Sequence, residues 1–325
     1  MTASARSAVV RPRRGPPWAT ADRWARLHYK LDVKGMPYLY IAPFFLIFFV
    51  FGLFPILYTG WMALTQWNRV VPGSSDTFVG FGNFARLIHD DYFWNALRNT
   101  FAIGVLGTVP QLLLAMWIAH LLHRQLRART LLRVGVLVPN VTSVAAVGLI
   151  FAALFGRDFG LINWLLSLVG LGKIDWQAGT WQSWSALAIM ITWRWTGYNT
   201  LIYLAALQAV PEDLYEAAEV DGAGEFQKFR SITIPALRPT IIFTVIMSTI
   251  GSIQLFTEPL MFNPGLSPTG GDSREFQTLA MYVYEQFWSH GKYGYASAVS
   301  WAMFMIIIVA VGVNYLLVRR IRSAT

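Results

Sequence analysis

The sequence predicts an all-α integral membrane protein with six transmembrane helices and both termini in the cytoplasm. Three observations lead there. Only 13% of the residues are charged while 55% are hydrophobic, against roughly 25% charged residues in a soluble domain, so the chain has too few charges to cover an ordinary water-facing surface. Six stretches reach the roughly 20 largely apolar residues that cross a hydrocarbon layer as a helix. Lysine and arginine are also divided unevenly between the segments joining those stretches, as the positive-inside rule requires.

The six spans run from Tyr38 to Leu64, Ala96 to Leu122, Val134 to Gly156, Ala186 to Ala209, Pro239 to Phe262 and Ala298 to Val318. The first is too long for a signal-peptide core and no small-residue cleavage site follows it, so it reads as an uncleaved anchor. Alternate connecting segments, together with both termini, hold 18 of the 26 Lys and Arg; the other loops hold 6, and Arg98 and Arg194 fall inside spans. Acidic residues divide evenly, 8 to 8 with Glu258 inside a span. The basic excess is therefore a topology signal, and nucleic acid is not implied.

Residues 1–37 form a basic cytoplasmic tail and residues 38–325 the six-span domain, with a cytoplasmic loop at 210–238. Within the tail, Trp24, Leu27, His28 and Leu31 recur at helical spacing among Arg23, Arg26 and Lys30. This suits either a helix lying on an anionic leaflet or a plain topology tail. Leu161 to Val169 is too short to span and reads as an interfacial helix on the outer side. Gly and Pro mark ordered turns from Asn263 to Gly271.

The chain carries no phosphate-binding lysine loop, no HExxH and no GxSxG, and it has no cysteine, so neither catalytic nor metal-ligating residues are assigned and no cofactor is expected on this chain. His120 and His123 are read as part of the cytoplasmic interface rather than as metal ligands.

The loop at 210–238 differs in kind from the others. Pro211, Glu212 and Asp213 suit the start of a helix, because proline fits the first turn and acids offset the N-terminal dipole. Leu214 to Val220 then forms at most two turns. Gly222 and Gly224 would let the chain turn at positive φ, after which Phe226, Phe229 and Ile232 recur at helical spacing until Pro235 ends a second short helix. Such a knuckle, with acids flanking a small-residue face, suits a partner's cleft.

This stretch resembles the EAA loop of the membrane subunits of binding-protein-dependent ABC importers. The family pattern falls on Glu216, Ala217, Ala218, Gly222, Ile232, Ile234 and Pro235, with Ile234 standing where leucine is usual. Asp221-Gly222-Ala223, Ala42-Pro43-Phe44 with Phe54-Pro55, Phe81-Gly82-Asn83-Phe84 and the run from Phe93 to Thr100 look like carbohydrate permeases of the first-subunit type, similar to maltose, glycerol-phosphate and cellobiose permeases. The resemblance implies a type I importer fold. It also implies a second permease, two ATPase subunits binding ATP and Mg, and an extracytoplasmic solute-binding protein, all assembled at the bacterial inner membrane. Glu216, Ala217, Ala218, Asp221, Gly222, Ile232 and Pro235 would then couple the permease to the ATPase.

A solute path through a bilayer needs hydrogen-bonding groups and aromatic faces, and intramembrane polar residues are costly enough to be informative. The fourth span offers Trp193, Arg194, Trp195, Tyr198 and Asn199. The fifth offers Ser248, Ser252, Gln254 and Glu258. Arg194 and Glu258 also fit a buried ion pair between neighbouring helices, and the others also fit plain helix packing. Bends are expected at Pro110 and at Glu258-Pro259. The expected cargo is a di- or oligosaccharide, with a β-glucoside as the specific guess. A glycerol-phosphate path would favour more intramembrane cations, and an ion-coupled secondary transporter would favour an internal repeat and leave the loop unexplained.

Overall fold

The computed structural model describes residues 31–123, 129–263, 265 and 267–323; the tail's Trp24, Leu27 and His28 lie outside them. Apart from one antiparallel bridge between Thr65 and Phe78, the regular structure among the described residues is helical. In chain order the helices are α1 (Met36–Ala63), α2 (Gly82–Ile88), α3 (Asp91–His123), α4 (Arg129–Val141), α5 (Val144–Leu154) and α6 (Leu161–Leu168). They continue with α7 (Thr180–Leu207), α8 (Asp213–Val220), α9 (Glu225–Ile253), α10 (Thr257–Phe262), α11 (Leu279–Tyr284) and α12 (Tyr293–Ser323).

The chain divides into two compact units at Thr59–Gly60. In the first unit no side chain from Met36 to Thr59 is buried, and Phe44, Phe51 and Phe54 are each more than 60% exposed, a surface suited to lipid rather than water. In the second unit α3 and α7 pack along their lengths. One core joins Ile103 of α3 to Trp184, Leu187 and Met190 of α7 and to Phe151 of α5. A second joins Ala115, Met116 and Ala119 of α3 to Tyr203, Leu204 and Leu207 of α7 and Leu237 of α9. Small residues let these helices approach closely, as they do where lipid removes the hydrophobic drive between helices. Gly197 of α7 is the extreme case: a Cβ there would stand 1.7 Å from the Val136 carbonyl oxygen of α4.

Two expected spans are broken. Residues 134–156 do not form one helix, because α4 and α5 meet at an 89° bend across Thr142 and Ser143. The fifth span is broken at Gln254–Phe256, where α9 stops and α10 begins, so the interruption precedes Glu258-Pro259, and Pro259 sits within the first turn of α10, where its missing N–H costs little. Conversely, α3 continues through Pro110 as one helix of 33 residues. Four helices among the described residues, α1, α3, α9 and α12, are long and apolar enough to cross a membrane, and the bent pair would add a fifth. Six spans require α7 as well; it is 28 residues long but carries Arg194, Asn199 and several hydroxyls.

Three of the prolines share one device. Leu31–Gly35, Phe49–Leu53 and Phe229–Thr233 are single π-helical turns, each ending two residues before a proline, at Pro37, Pro55 and Pro235 respectively. A proline inside an α-helix lacks a donor and collides with the carbonyl four residues back. A π turn widens the ladder just there; in two of the three the closing bond spans five residues, from Phe54 to Phe49 and from Ile234 to Phe229. Pro235 therefore does not end a short helix, as its sequence position suggested. α9 runs unbroken from the loop into the membrane.

Between α10 and α11 the segment holding the break is itself pinned. Thr278 Oγ1 donates to the Leu255 carbonyl at 2.7 Å, and Arg274, at φ 62°, makes a two-pronged ion pair with Glu285 at 2.6 and 2.7 Å. Burial opposes ionisation of Glu285, but the Arg274 guanidinium and the Gln277 amide outweigh it and hold the carboxyl below its ordinary range. A depressed pKa contributes stability that is complete above the unfolded value and lost as pH falls through the folded one. Thermal unfolding of the purified protein should show a midpoint that declines on acidification below about pH 4.3, the ordinary value of a free Glu, and Arg274→Ala should flatten that decline.

Candidate functional site: a coupling loop and a membrane cavity

The loop at 210–238 folds as α8, a turn, and the start of α9. Pro211 and Glu212 precede α8, and the Glu212 carbonyl accepts from Tyr215 and Glu216. At the other end Gly222 takes φ 79°, its amide donating to the Glu219 carbonyl (3.0 Å) while that of Ala223 donates to Ala218 (2.9 Å). These are the paired closing bonds of a Schellman motif. The left-handed residue of that motif comes directly after the C-cap, so the spacing from Glu216-Ala217-Ala218 to Gly222 is what a tightly stopped two-turn helix requires. Gly224 does not share this role: it is extended, at φ −71° and ψ 166°, and caps α9.

Glu216, Ala217, Asp221, Gly222 and Pro235 are exposed, and Ala218 and Ile232 half-buried. Leu214, Val220 and Phe226 are 51%, 88% and 69% exposed, an apolar edge on an otherwise acidic knuckle. Lys228 binds the knuckle together, its ammonium 3.0 Å from Glu219 of α8 and 3.3 Å from Glu225 of α9. Sequence reasoning missed both Lys228 and His120. His120 is 2% exposed and packs against this loop.

The solute-path residues divide. Trp195, Tyr198, Asn199, Ser252, Gln254 and Glu258 line one cavity of about 520 Å³, together with Thr108 and Gln111 of α3 and Phe243, Met247 and Ser248 of α9. Trp193 is not among the lining residues; its ring lies 5.5 Å from Phe151 of α5. At 100° per residue, two steps along a helix turn a side chain most of the way to the opposite side. Arg194 stands behind the wall: its Nη1 donates to Glu258 Oε1 at 2.8 Å, with the two side chains 13% and 8% exposed. Its guanidinium also lies 5.3 Å from the Trp195 ring centre, and Trp195 meets Tyr198 edge to face at 5.9 Å.

The α3 contribution was legible and overlooked. Gly104, Thr108 and Gln111 sit at i, i+4 and i+7, one face of a helix, and all three line the cavity. Gln111 Nε2 also donates to the Trp195 carbonyl at 3.2 Å. Among the described residues no group of three or more His, Asp or Glu is placed to hold a metal ion.

Residues 111–323 match the family described as binding-protein-dependent transport system inner membrane component. The lactose transport system permease protein LacF of Rhizobium radiobacter is 36% identical, over 90% of this chain and 95% of its own length. The trehalose/maltose transport system permease protein MalF of Thermococcus litoralis is 31% identical over 92% and 97%. The arabinooligosaccharides transport system permease protein AraP of Halalkalibacterium halodurans is 34% identical over 85% of each. Among solved structures, a bacterial ABC transporter importing the acidic polysaccharide alginate has the same fold, with a TM-score of 0.75 at 22% identity over 91% of this chain and 99% of that one. A second alginate transporter structure, in complex with a periplasmic protein that holds an alginate pentasaccharide, gives 0.76 at 21% identity over 91% and 98%. With its family matched across most of its length, the chain belongs to the binding-protein-dependent transport system inner membrane components, as a sugar permease subunit of an ABC importer in the bacterial plasma membrane.

Proposed function

We propose that this subunit carries a neutral di- or oligosaccharide through the cavity lined by α3, α7, α9 and α10. The observation that carries the reading is the charge of the wall. Glu258 is the one ionisable carboxylate among the lining residues, and Arg194 cancels it at 2.8 Å. What remains is amide, hydroxyl and aromatic: Gln111, Asn199, Gln254 and Ser252 for sugar hydroxyls, Trp195 and Tyr198 for the apolar faces of a ring. About 520 Å³ also lies inside the roughly 300–1,000 Å³ of small-molecule sites. A path for alginate-like acids or for glycerol phosphate would leave a cation free to meet the anion.

In the same reading α8 docks on one of two ATPase subunits, which bind ATP and Mg and perform the hydrolysis. A second permease completes the pathway, and an extracytoplasmic binding protein delivers the sugar. ATP-driven closure of the ATPases would carry α8 with them and exchange the inward-facing for the outward-facing state. The exposed apolar edge and acidic flank of α8 support such docking.

The test is a calorimetric titration of the cognate binding protein with a sugar panel, followed by uptake in proteoliposomes containing the whole transporter. The panel is headed by β-glucosides, with lactose beside them because it is β-linked and named in one relative. Replacing Gln254 by alanine should lower uptake about 2- to 10-fold, the loss of one neutral hydrogen bond worth ~0.5–1.5 kcal/mol. A binding protein that accepts only acidic sugars or phosphorylated glycerol, with uptake following it, overturns the reading.

A further inference from the structure

His120 occupies the point where three pieces of chain meet. It lies near the end of α3 that faces the loop, with its side chain almost wholly buried. Nδ1 is 2.8 Å from Thr233 Oγ1, in the π turn near the start of α9. The same hydroxyl shares a 2.9 Å hydrogen bond with the Tyr215 hydroxyl of α8. Nε2 is 3.4 Å from Glu225 Oε2, and Lys228 joins that glutamate to Glu219 of α8. Around the ring stand Phe229 at 5.4 Å and Trp117 at 5.7 Å. The imidazole thus contacts α8, the start of α9 and its own helix at once.

Two of these three helices, α3 and α9, also wall the cavity. Gln111 lies nine residues along α3 from His120, and Phe243 ten residues along α9 from Thr233; both line the cavity, about 13–15 Å away at the rise of an α-helix. The hydrogen bonds that meet at the Thr233 hydroxyl tie α8 to α3 and α9 at one place. We propose that His120 is the positioning residue that transmits motion of the coupling helix to α3 and α9, acting through the Thr233 hydroxyl. The proposal rests on the reading of α8 as the ATPase-docking element.

A buried histidine that merely fills space would be replaced by leucine without consequence, and this separates the two roles. In proteoliposomes holding both permeases, the ATPases and the binding protein, His120→Leu and Thr233→Val should retain ATPase subunits and basal hydrolysis. Sugar transported per ATP hydrolysed should fall about 10-fold, as expected for a lost buried hydrogen bond. Asparagine, whose amide overlays Nδ1, should restore most of that ratio at position 120, and glutamine, which overlays Nε2, should not. A ratio within twofold of the parent in both His120→Leu and Thr233→Val overturns the proposal. So does loss of the ATPase subunits from both, which would make the cluster a folding element. Glu216→Lys is run alongside: normal uptake in that variant removes the docking reading itself, and the proposal with it.

Discussion

Replacing Glu258 with alanine is expected to cost about 3–5 kcal/mol, the usual consequence of removing one partner of a buried ion pair and leaving the other charge uncompensated. Arg194, whose side chain is 13% exposed beside Glu258, would keep the Trp195 face but lose the carboxylate that balances its charge. Arg194→Met should cost a comparable amount, since it strands the carboxylate. The double variant Arg194→Met with Glu258→Met should be more stable than either single one, because two apolar side chains of similar length fill the same space without a desolvated charge. Tryptophan-monitored unfolding of the detergent-solubilised transporter measures all three. Strictly additive losses would show that the two groups are not one energetic unit. Uptake separates structure from passage: the double variant should regain stability and remain well below the parent in uptake, because Glu258 itself lines the cavity.

Much of this was legible in the sequence because the physics acts over short stretches. Apolar runs located α1, α3 and α12, with both ends of α1 within two residues and the start of α3 and both ends of α12 five residues short, and the i, i+3, i+4 spacing of Trp195, Tyr198 and Asn199 put all three on one wall. What escaped depends on longer-range or finer geometry. A hydropathy window averages over Thr142 and Ser143, so an 89° bend looked like one span. Pro235 read as a helix stop because sequence spacing does not reveal the π turn that accommodates it. Trp193 was grouped with Trp195 by composition, although two residues along a helix point apart. His120 and Thr233 are 113 residues apart, and neither side chain announces the other. Gln111 is different: Gly104, Thr108 and Gln111 already shared a helical face, and only the apolar residues around them hid it.

Valine at position 222 should abolish uptake, and the reason is confined to the backbone. Gly222 holds φ 79°, yet a Cβ built there meets nothing within 4 Å, so a side chain has room and only the conformation resists it. An ordinary L-residue in the left-handed region costs roughly 1–2 kcal/mol, and a β-branched one is a genuine outlier there. That strain acts on the two bonds that stop α8, from Gly222 to Glu219 and from Ala223 to Ala218, and so on the placement of Glu216, Ala217 and Ala218. Asparagine tolerates the left-handed region better than other residues, so Gly222→Asn should retain most uptake and Gly222→Ala should fall between. ATPase co-purification and sugar uptake measured on the three variants give the order. Equal losses in all three would mean that position 222 is needed bare, for close approach by a partner, rather than for its φ. Normal uptake in Gly222→Val would remove α8 from the coupling pathway altogether.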